Sequence, residues 1–169
     1  HPLWDLLRVI PEARTAALCA RIGLYQREGN PGEIVWSIVD YDWNLRGRVS
    51  RTYPGKVIKT WREVPGPFCG YFSNIRHPDL WLVEDPVSAA RIQLEGRSAL
   101  CLLGTHFSLD GQQELRDRGD MVKRIFVALD PDAYNVSMEL TKTLTFRLGC
   151  DTVAVPLEKD PKDMDQDEL

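Results

Sequence analysis

Two patterns of hydrophobic positions divide the chain. Residues 3–10 and 12–22 have the spacing of helices, and a β-rich run at 34–53, interrupted by a turn, follows them. Apolar runs around such a turn are typical of a hairpin, and residues 56–61 add a further strand. We therefore expect residues 1–76 to form a small α+β lobe with an antiparallel sheet.

From residue 79 the pattern changes to short apolar strands that alternate with helices. This alternation is typical of right-handed βαβ units and a parallel sheet. The expected fold class is therefore α/β: residues 77–165 form a four-stranded, mainly parallel sheet with flanking helices, and residues 166–169 form an acidic tail. Strands are predicted at 80–83, 98–103, 124–129 and 152–157, with helices at 86–94, 109–118 and 133–148 between them.

Acidic residues follow three of these four strands, and they include Glu84, the Asp130–Asp132 pair and Asp160. Because working residues in such sheets lie at the carboxyl ends of the strands, we expect these acids to share one edge. Mg²⁺ prefers oxygen ligands, and Asp-x-Asp on extended chain directs two carboxylates the same way. The alternative is helix capping by Asp85 and Asp132, which leaves Glu84 and Asp130 unexplained.

Positive charge is concentrated upstream of these acids. Residues 44–62 contain no acid, although the whole chain has a net charge of -4. Such a local excess suits a polyanion, and a solvated sheet face is an equally weighted alternative. The basic side chains of this run, which we call the basic strip, are Arg46, Arg48, Arg51, Lys56, Lys59 and Arg62.

Composition narrows the classes of protein to which this chain can belong. The 169 residues suit one domain or a domain with a smaller lobe, and no apolar run approaches the ~18 residues of a membrane span. None of the four cysteines forms a CxxC pair, which argues against a zinc ribbon. Cys101 lies in an apolar run and is expected to be buried. We expect a cytoplasmic protein without membrane contact, and we interpret the start at His1 as that of a fragment of a longer protein.

Four segments resemble the Toprim domain of bacterial and phage DNA primases. They are LWLVEDPVSAARI, ALCLLGTHFSLDGQQEL, IFVALDPDAYNVSMELTKTL and VAVPLEKDPKDMD. That family has a glutamate after its first strand, a Gly-Thr turn after the second, Asp-x-Asp after the third and an acidic Asp-Pro motif after the fourth. The residues at these positions, in the same order, are Glu84, Gly104, Thr105, Asp130, Asp132 and Asp160.

The sequence departs from the family pattern in two places. The family often has glycine directly after the first glutamate and an acid four residues beyond it, where this chain has Asp85 and Ser88. In the fourth motif, Lys162 occupies the position of a second acid, and Asp163 is the nearest replacement. At both places an acid of the family pattern is replaced, so both departures bear on whether this chain is catalytic.

The resemblance implies a Mg²⁺-dependent nucleotidyltransferase, the core of a DNA primase that makes short primers on single-stranded DNA. Glu84, Asp130 and Asp132 would be catalytic and, with Asp160, would hold Mg²⁺ or Mn²⁺. The upstream segments RGRVSRTY and GKVIKTW resemble the part of primases that precedes Toprim. This second likeness implies phosphate contacts, to template or nucleotide, from Arg51, Lys56, Arg48 and Lys59.

The implied partners are a single-stranded DNA template, nucleoside triphosphates and a replicative helicase, in the host cytoplasm if the protein is phage-encoded. Two alternatives remain open. One is a Toprim nuclease or strand-cleaving enzyme that uses the same acids. The other is a catalytically degenerate Toprim domain that only binds DNA or a replication partner, which the departures at Ser88 and Lys162 would suit.

Overall fold

The structure, a computed structural model, describes residues 24–26, 33–39, 44–52, 58–62, 70–71, 78–117 and 122–164. The chain divides into two compact units, His1–Gly66 and Pro67–Leu169. The predicted helices at 3–10 and 12–22 and the acidic tail at 166–169 lie outside the described residues. The boundary lies ten residues before the one expected after residue 76, because the second unit includes a short strand at residues 70–71.

The first unit is an antiparallel sheet, as predicted. Each strand pairs with the next along the chain, and a bulge at Ile38/Val39 interrupts the pairing of β2 with β3. Trp36 and Val49 pair across β2 and β3, and both are almost completely buried. The strands are β1 (Leu24–Gln26), β2 (Glu33–Val39), β3 (Leu45–Thr52) and β4 (Ile58–Arg62).

The second unit has the predicted α/β pattern. Its strands lie in the order β5-β7-β6-β8-β9, with β5 antiparallel to β7 and the other four parallel. The strands are β5 (Gly70–Tyr71), β6 (Asp79–Val83), β7 (Ser98–Cys101), β8 (Arg124–Val127) and β9 (Asp151–Ala154). The helices are α1 (Pro86–Leu94), α2 (Leu109–Asp117) and α3 (Tyr134–Leu148), and two 3₁₀ turns are η1 (Pro131–Ala133) and η2 (Pro161–Asp163).

The core of this unit lies along the two central strands. Leu80 and Leu82 of β6 and Ile125 and Val127 of β8 are completely buried. Burying one such side chain contributes roughly 1.5–3 kcal/mol, so these positions hold the strand pair together. Helix α1 packs on β6 and β7, whereas α3 packs on β8 and β9.

The chain reverses direction across the sheet at β6. The connection through α1 leads to β7 on one side, and the connection through α2 leads back past β6 to β8 on the other. Right-handed crossovers therefore place α1 on one face of the sheet and α2 and α3 on the opposite face. Such a reversal opens a crevice at the carboxyl ends of the two strands concerned, which here are β6 and β8.

The strands end earlier than the hydrophobic runs suggested. β7 stops at Cys101, although the apolar run continues to Leu103, because Leu103 has a left-handed backbone with φ 57°. β8 stops at Val127 and β9 at Ala154. Two further buried residues, Ala128 and Leu129, lead from β8 to the Asp130 turn.

Candidate active site

Glu84 is the first residue after β6 and lies at the crevice between β6 and β8. Its Oε1 atom accepts a hydrogen bond from the backbone N–H of Asp130, at 3.0 Å. This contact joins the end of β6 to the residue that begins the turn after β8. The structure therefore brings together Glu84 and the Asp-x-Asp segment, which lie 46 residues apart in sequence.

Asp85 caps α1. Its Oδ1 accepts hydrogen bonds from the backbone N–H groups of Val87 and Ser88, and its Oδ2 accepts one from the Ser88 hydroxyl at 2.7 Å. The capping interpretation is thus confirmed for Asp85. It is wrong for Asp132, because η1 begins after Asp130 and α3 begins after Ala133, neither with a side-chain cap.

Two turns with the same local sequence present the other acids. Asp130 precedes Pro131 with φ -55° and ψ 153°, and Asp160 precedes Pro161 with φ -59° and ψ 143°. A residue before proline favours this extended region, and proline suits the first position of a helical turn. Neither aspartate caps its turn with its side chain.

The charges at this edge act on Glu84. Burial raises the pKa of the Glu84 carboxyl, the hydrogen bond from Asp130 N–H lowers it, and the negative charges of Asp132, Asp85 and Asp160 raise it further. The net result is a raised pKa. These interactions require the carboxylates of all three strand ends to lie near one another, as expected from the parallel sheet.

The carboxylates do not form a closed cage. Within the described part of the chain, no three acidic, histidine or cysteine side chains converge tightly enough to hold an ion by themselves. Asp132 is exposed and Asp160 is half-buried. Mg²⁺ usually takes only one or two protein carboxylates and completes its shell with water and substrate phosphates. The oxygen donors of Glu84, Asp130, Asp132 and Asp160 suit such an open site.

Arg91 of α1 holds the chain that follows Asp160, and sequence reasoning missed it. Its Nε and Nη2 atoms donate to the Met164 carbonyl, each at 3.3 Å, and its Nη1 atom pairs with Glu95 at 2.8 Å. η2 packs on α1 next to this clasp. The Arg91–Glu95 spacing was visible as an ordinary helix pair, but nothing in the sequence indicated the contact 73 residues away.

The basic strip does not form one surface. Arg48 is exposed on one face of β3, whereas Arg51, which is half-buried, lies on the other. Arg46 is also exposed, but it lies at the bulge, where the alternation of faces is interrupted. The Lys59 backbone pairs with that of Ser50. Lys56 lies outside the described residues. Arg48 and Arg51, two of the four residues predicted to contact phosphate, therefore lie on opposite faces of β3.

The fold matches solved structures of primases. The primase fragment of the bacteriophage T7 primase-helicase has a TM-score of 0.67 at 13% identity, covering 87% of this chain and 64% of that one. A DnaG primase catalytic domain bound to single-stranded DNA gives 0.65 at 15%, covering 98% and 58%. The zinc-binding and RNA polymerase domains of Aquifex aeolicus primase give 0.59 at 17%, covering 90% and 45%.

These matches confirm the predicted fold, that of the Toprim-containing catalytic core of bacterial and phage primases. The chain spans less than two thirds of each of these three structures. Neither a protein-family model nor a curated protein matches the sequence. None of the helices in the described segments is long and apolar enough to cross a membrane.

Proposed function

We propose that this chain, which has the fold of primase catalytic cores, is the nucleotidyl-transfer core of a DNA primase that makes primers on single-stranded DNA. The observation that carries the proposal is the convergence of Glu84, Asp130, Asp132 and Asp160 on the crevice between β6 and β8. The fold alone does not require acids at three strand ends, whereas neighbouring carboxylates suit a divalent cation that assists phosphoryl transfer.

The carboxylates have different roles in this proposal. Asp130, Asp132 and Asp160 would hold Mg²⁺ or Mn²⁺, which when bound would supply positive charge to the triphosphate oxygens. Glu84 has a raised pKa and one oxygen oriented by Asp130 N–H, which suits it to accept the proton of the primer 3′-hydroxyl as that oxygen attacks the α-phosphate. Pyrophosphate is the leaving group.

Single-stranded DNA and nucleoside triphosphates are the proposed ligands. Support comes from the similar DnaG domain, which is bound to single-stranded DNA, and from the exposed arginines of β3. The similar phage T7 fragment comes from a primase-helicase, which supports a helicase as a partner. Arg48 is exposed, whereas Arg51 on the other face is half-buried, so we place the DNA on the Arg48 face of β3.

The first prediction tests this function with a primer-synthesis assay on single-stranded DNA, using labelled nucleoside triphosphates. Wild type should extend products with Mg²⁺ or Mn²⁺ and lose activity in EDTA. Asp130→Asn and Asp132→Asn should each lower the rate by at least ~100-fold and weaken Mn²⁺ binding in calorimetric titration, because each removes a charged oxygen ligand. Both variants should stay folded, since losing one of several like charges relieves repulsion.

Asp151→Asn is the matched control, because Asp151 is an exposed acid at the start of β9, the opposite end of a strand from the crevice. Its activity should equal that of wild type. Undiminished synthesis by both Asp130→Asn and Asp132→Asn would refute the proposed site.

A non-catalytic Toprim domain that only binds DNA is the second candidate. The replacement of the expected acid by Ser88, whose hydroxyl is engaged with Asp85, favours it. In the same assay this candidate predicts DNA binding without synthesis. A Toprim nuclease would instead shorten the labelled strand in the presence of the cation.

A further inference from the structure

The turn after β7 has an unusual backbone next to the proposed active site. Leu103 and Gly104 have consecutive positive φ angles, 57° and 137°. Left-handed backbone is strained for leucine, and φ near 137° is accessible essentially to glycine alone. Strain of this kind persists where the surrounding structure requires the conformation, and it concentrates at functional sites.

The strained turn lies against the backbone of Glu84. The N–H of Gly104 donates to the Glu84 carbonyl at 3.0 Å, and the Cys101 thiol donates to the same oxygen at 3.3 Å. The N–H of Leu102 donates to the Val83 carbonyl at 2.8 Å. The turn thus extends the pairing of β7 with β6 beyond the last residue of each strand and includes Glu84 in it.

Cys101 forms hydrogen bonds both to Glu84 and to the strained turn. Its sulfur accepts a hydrogen bond from Leu103 N–H at 3.4 Å while its S–H donates to the Glu84 carbonyl. The residue is completely buried, so the thiol has no access to solvent oxidants. The sequence pattern had indicated only a small buried hydrophobic residue, and it gave no sign of this polar role.

Glu84 is therefore held from two sides. The β7 turn holds its backbone carbonyl, and Asp130 N–H holds its Oε1 atom from the β8 side. Among the described residues, none donates a hydrogen bond to Oε2, the atom left for substrate or cation. A glutamate held both at its backbone carbonyl and at one carboxylate oxygen keeps its position when charge develops beside it, which is the requirement for preorganised catalysis.

We propose that Cys101 and the Leu103–Gly104 turn are positioning residues that set the Glu84 carboxylate for proton transfer. The inference rests on the proposed function for its catalytic meaning, but its structural part concerns only where Glu84 lies. Cys101 and Gly104 act through the Glu84 carbonyl and do not contact substrate.

The second prediction compares Cys101→Ala with Cys101→Ser in the whole chain. Alanine removes both the donor and the acceptor, whereas the serine hydroxyl supplies both. The alanine variant should lose about tenfold in kcat with little change in the KM for nucleotide, as expected when a group acts in the transition state. Serine should restore most of that loss. Ser98→Ala, a buried change at the other end of β7, should leave kcat unchanged.

Gly104→Ala tests whether the backbone conformation of the Leu103–Gly104 turn positions Glu84. No atom lies within 4 Å of a Cβ placed at Gly104, so alanine meets conformational strain without a clash. Gly149 is the matched control, because it also has positive φ and open space but lies at the end of α3. Both alanine variants should be less stable than wild type, and only Gly104→Ala should lower kcat.

Amide hydrogen exchange at Asp130 separates this inference from the proposed function, because it needs neither metal nor activity. Cys101→Ala and Gly104→Ala should exchange the Asp130 amide at least several-fold faster relative to Ala128, whose N–H pairs with Leu82 instead. Unchanged relative exchange in both variants would overturn the positioning role. Faster exchange in a protein that makes no primers would support the positioning of Glu84 and reject the primase proposal.

Discussion

At the scale of single residues, the acids at the sheet edge differ in what already engages them. Asp85 uses both oxygens to cap α1, Glu84 uses one oxygen for Asp130 N–H, and Asp132 is exposed. Residue type alone could not separate a capping carboxylate from a ligand, since aspartate suits both. The distinction depends on where the next helix begins, and sequence patterns place helix ends only to within a few residues.

The third prediction follows from the raised pKa of Glu84, whose largest cause is burial. The charged carboxylate is less favourable in the folded protein than in the unfolded chain. The resulting destabilisation of the folded protein is absent at pH values below the pKa of the unfolded chain. It grows as pH rises above the ordinary pKa of 4.5 and is complete above the raised pKa of the folded protein. Glu84→Gln removes this penalty and keeps an oxygen for Asp130 N–H.

In metal-free buffer, Glu84→Gln should therefore stabilise the protein at pH 7 and have little effect at pH 4. Thermal unfolding over this pH range measures the difference. Glu139→Gln, which changes an exposed glutamate on α3, is the control for the loss of one negative charge. A gain in stability that is equal at both pH values would contradict the raised pKa.

At the scale of elements, the first turn of α1 brings together Asp85 and Ser88, the two positions at which its sequence differs from the family pattern. The acid that the family has at position 88 is absent, and a carboxylate stands at position 85 instead. The Ser88 hydroxyl is completely buried and donates to that carboxylate. Positions 85 and 88 are therefore coupled in this structure, because Ser88 supplies a hydrogen bond to the carboxylate of Asp85.

The fourth prediction tests this linkage with a double-mutant cycle in urea. Ser88→Asp should destabilise the protein by roughly 2–4 kcal/mol, because it buries a second carboxylate against Asp85. Asp85→Gly should cost less, on the order of 1 kcal/mol, through loss of the cap and its bond to Ser88. The double variant should be more stable than the sum by about 1–2 kcal/mol, because the like charges no longer meet. Strict additivity would show that the positions are independent.

Elements were predictable here to the extent that local pattern determines them. The alternation of strands and helices after residue 79 follows from short apolar runs and Asp-Pro turns, and the structure confirms it. The early end of β7 was not predictable, because the run SALCLL has no residue that interrupts a strand. The strand stops because the following turn reaches back to Glu84, and that contact depends on tertiary structure.

At the scale of the whole molecule, the pleat of β3 decides what a bound strand of DNA can reach. Arg48 and Arg51 lie on opposite faces of the same strand, so one extended path cannot contact both. The count of positive charges in the sequence indicated a polyanion site, but it contained no information about faces. Register supplies that information, and register depends on pairing with β2 and β4.

The fifth prediction assigns the DNA to the exposed face. Arg48→Ala should reduce the slope of log affinity against log salt by roughly 0.7 for single-stranded DNA, the effect of one lost phosphate contact. Arg51→Ala should leave the slope unchanged. Affinity measured over a salt series for both variants gives the test. The opposite result would place the DNA on the Arg51 face, and a wild-type slope in both variants would mean that neither arginine contacts phosphate.

The strand order of the second unit has a consequence for folding of the protein during its synthesis. β6 is made first among the four parallel strands, yet its neighbour β8 pairs with it only after 45 more residues, as at Asp79 and Arg124. Pairings so distant in sequence form slowly, because a long loop must close before any contact is gained. Glu84 and Asp130 therefore meet only after β8 has left the ribosome. A nascent chain cut short before that strand would contain the first acid but no crevice between β6 and β8.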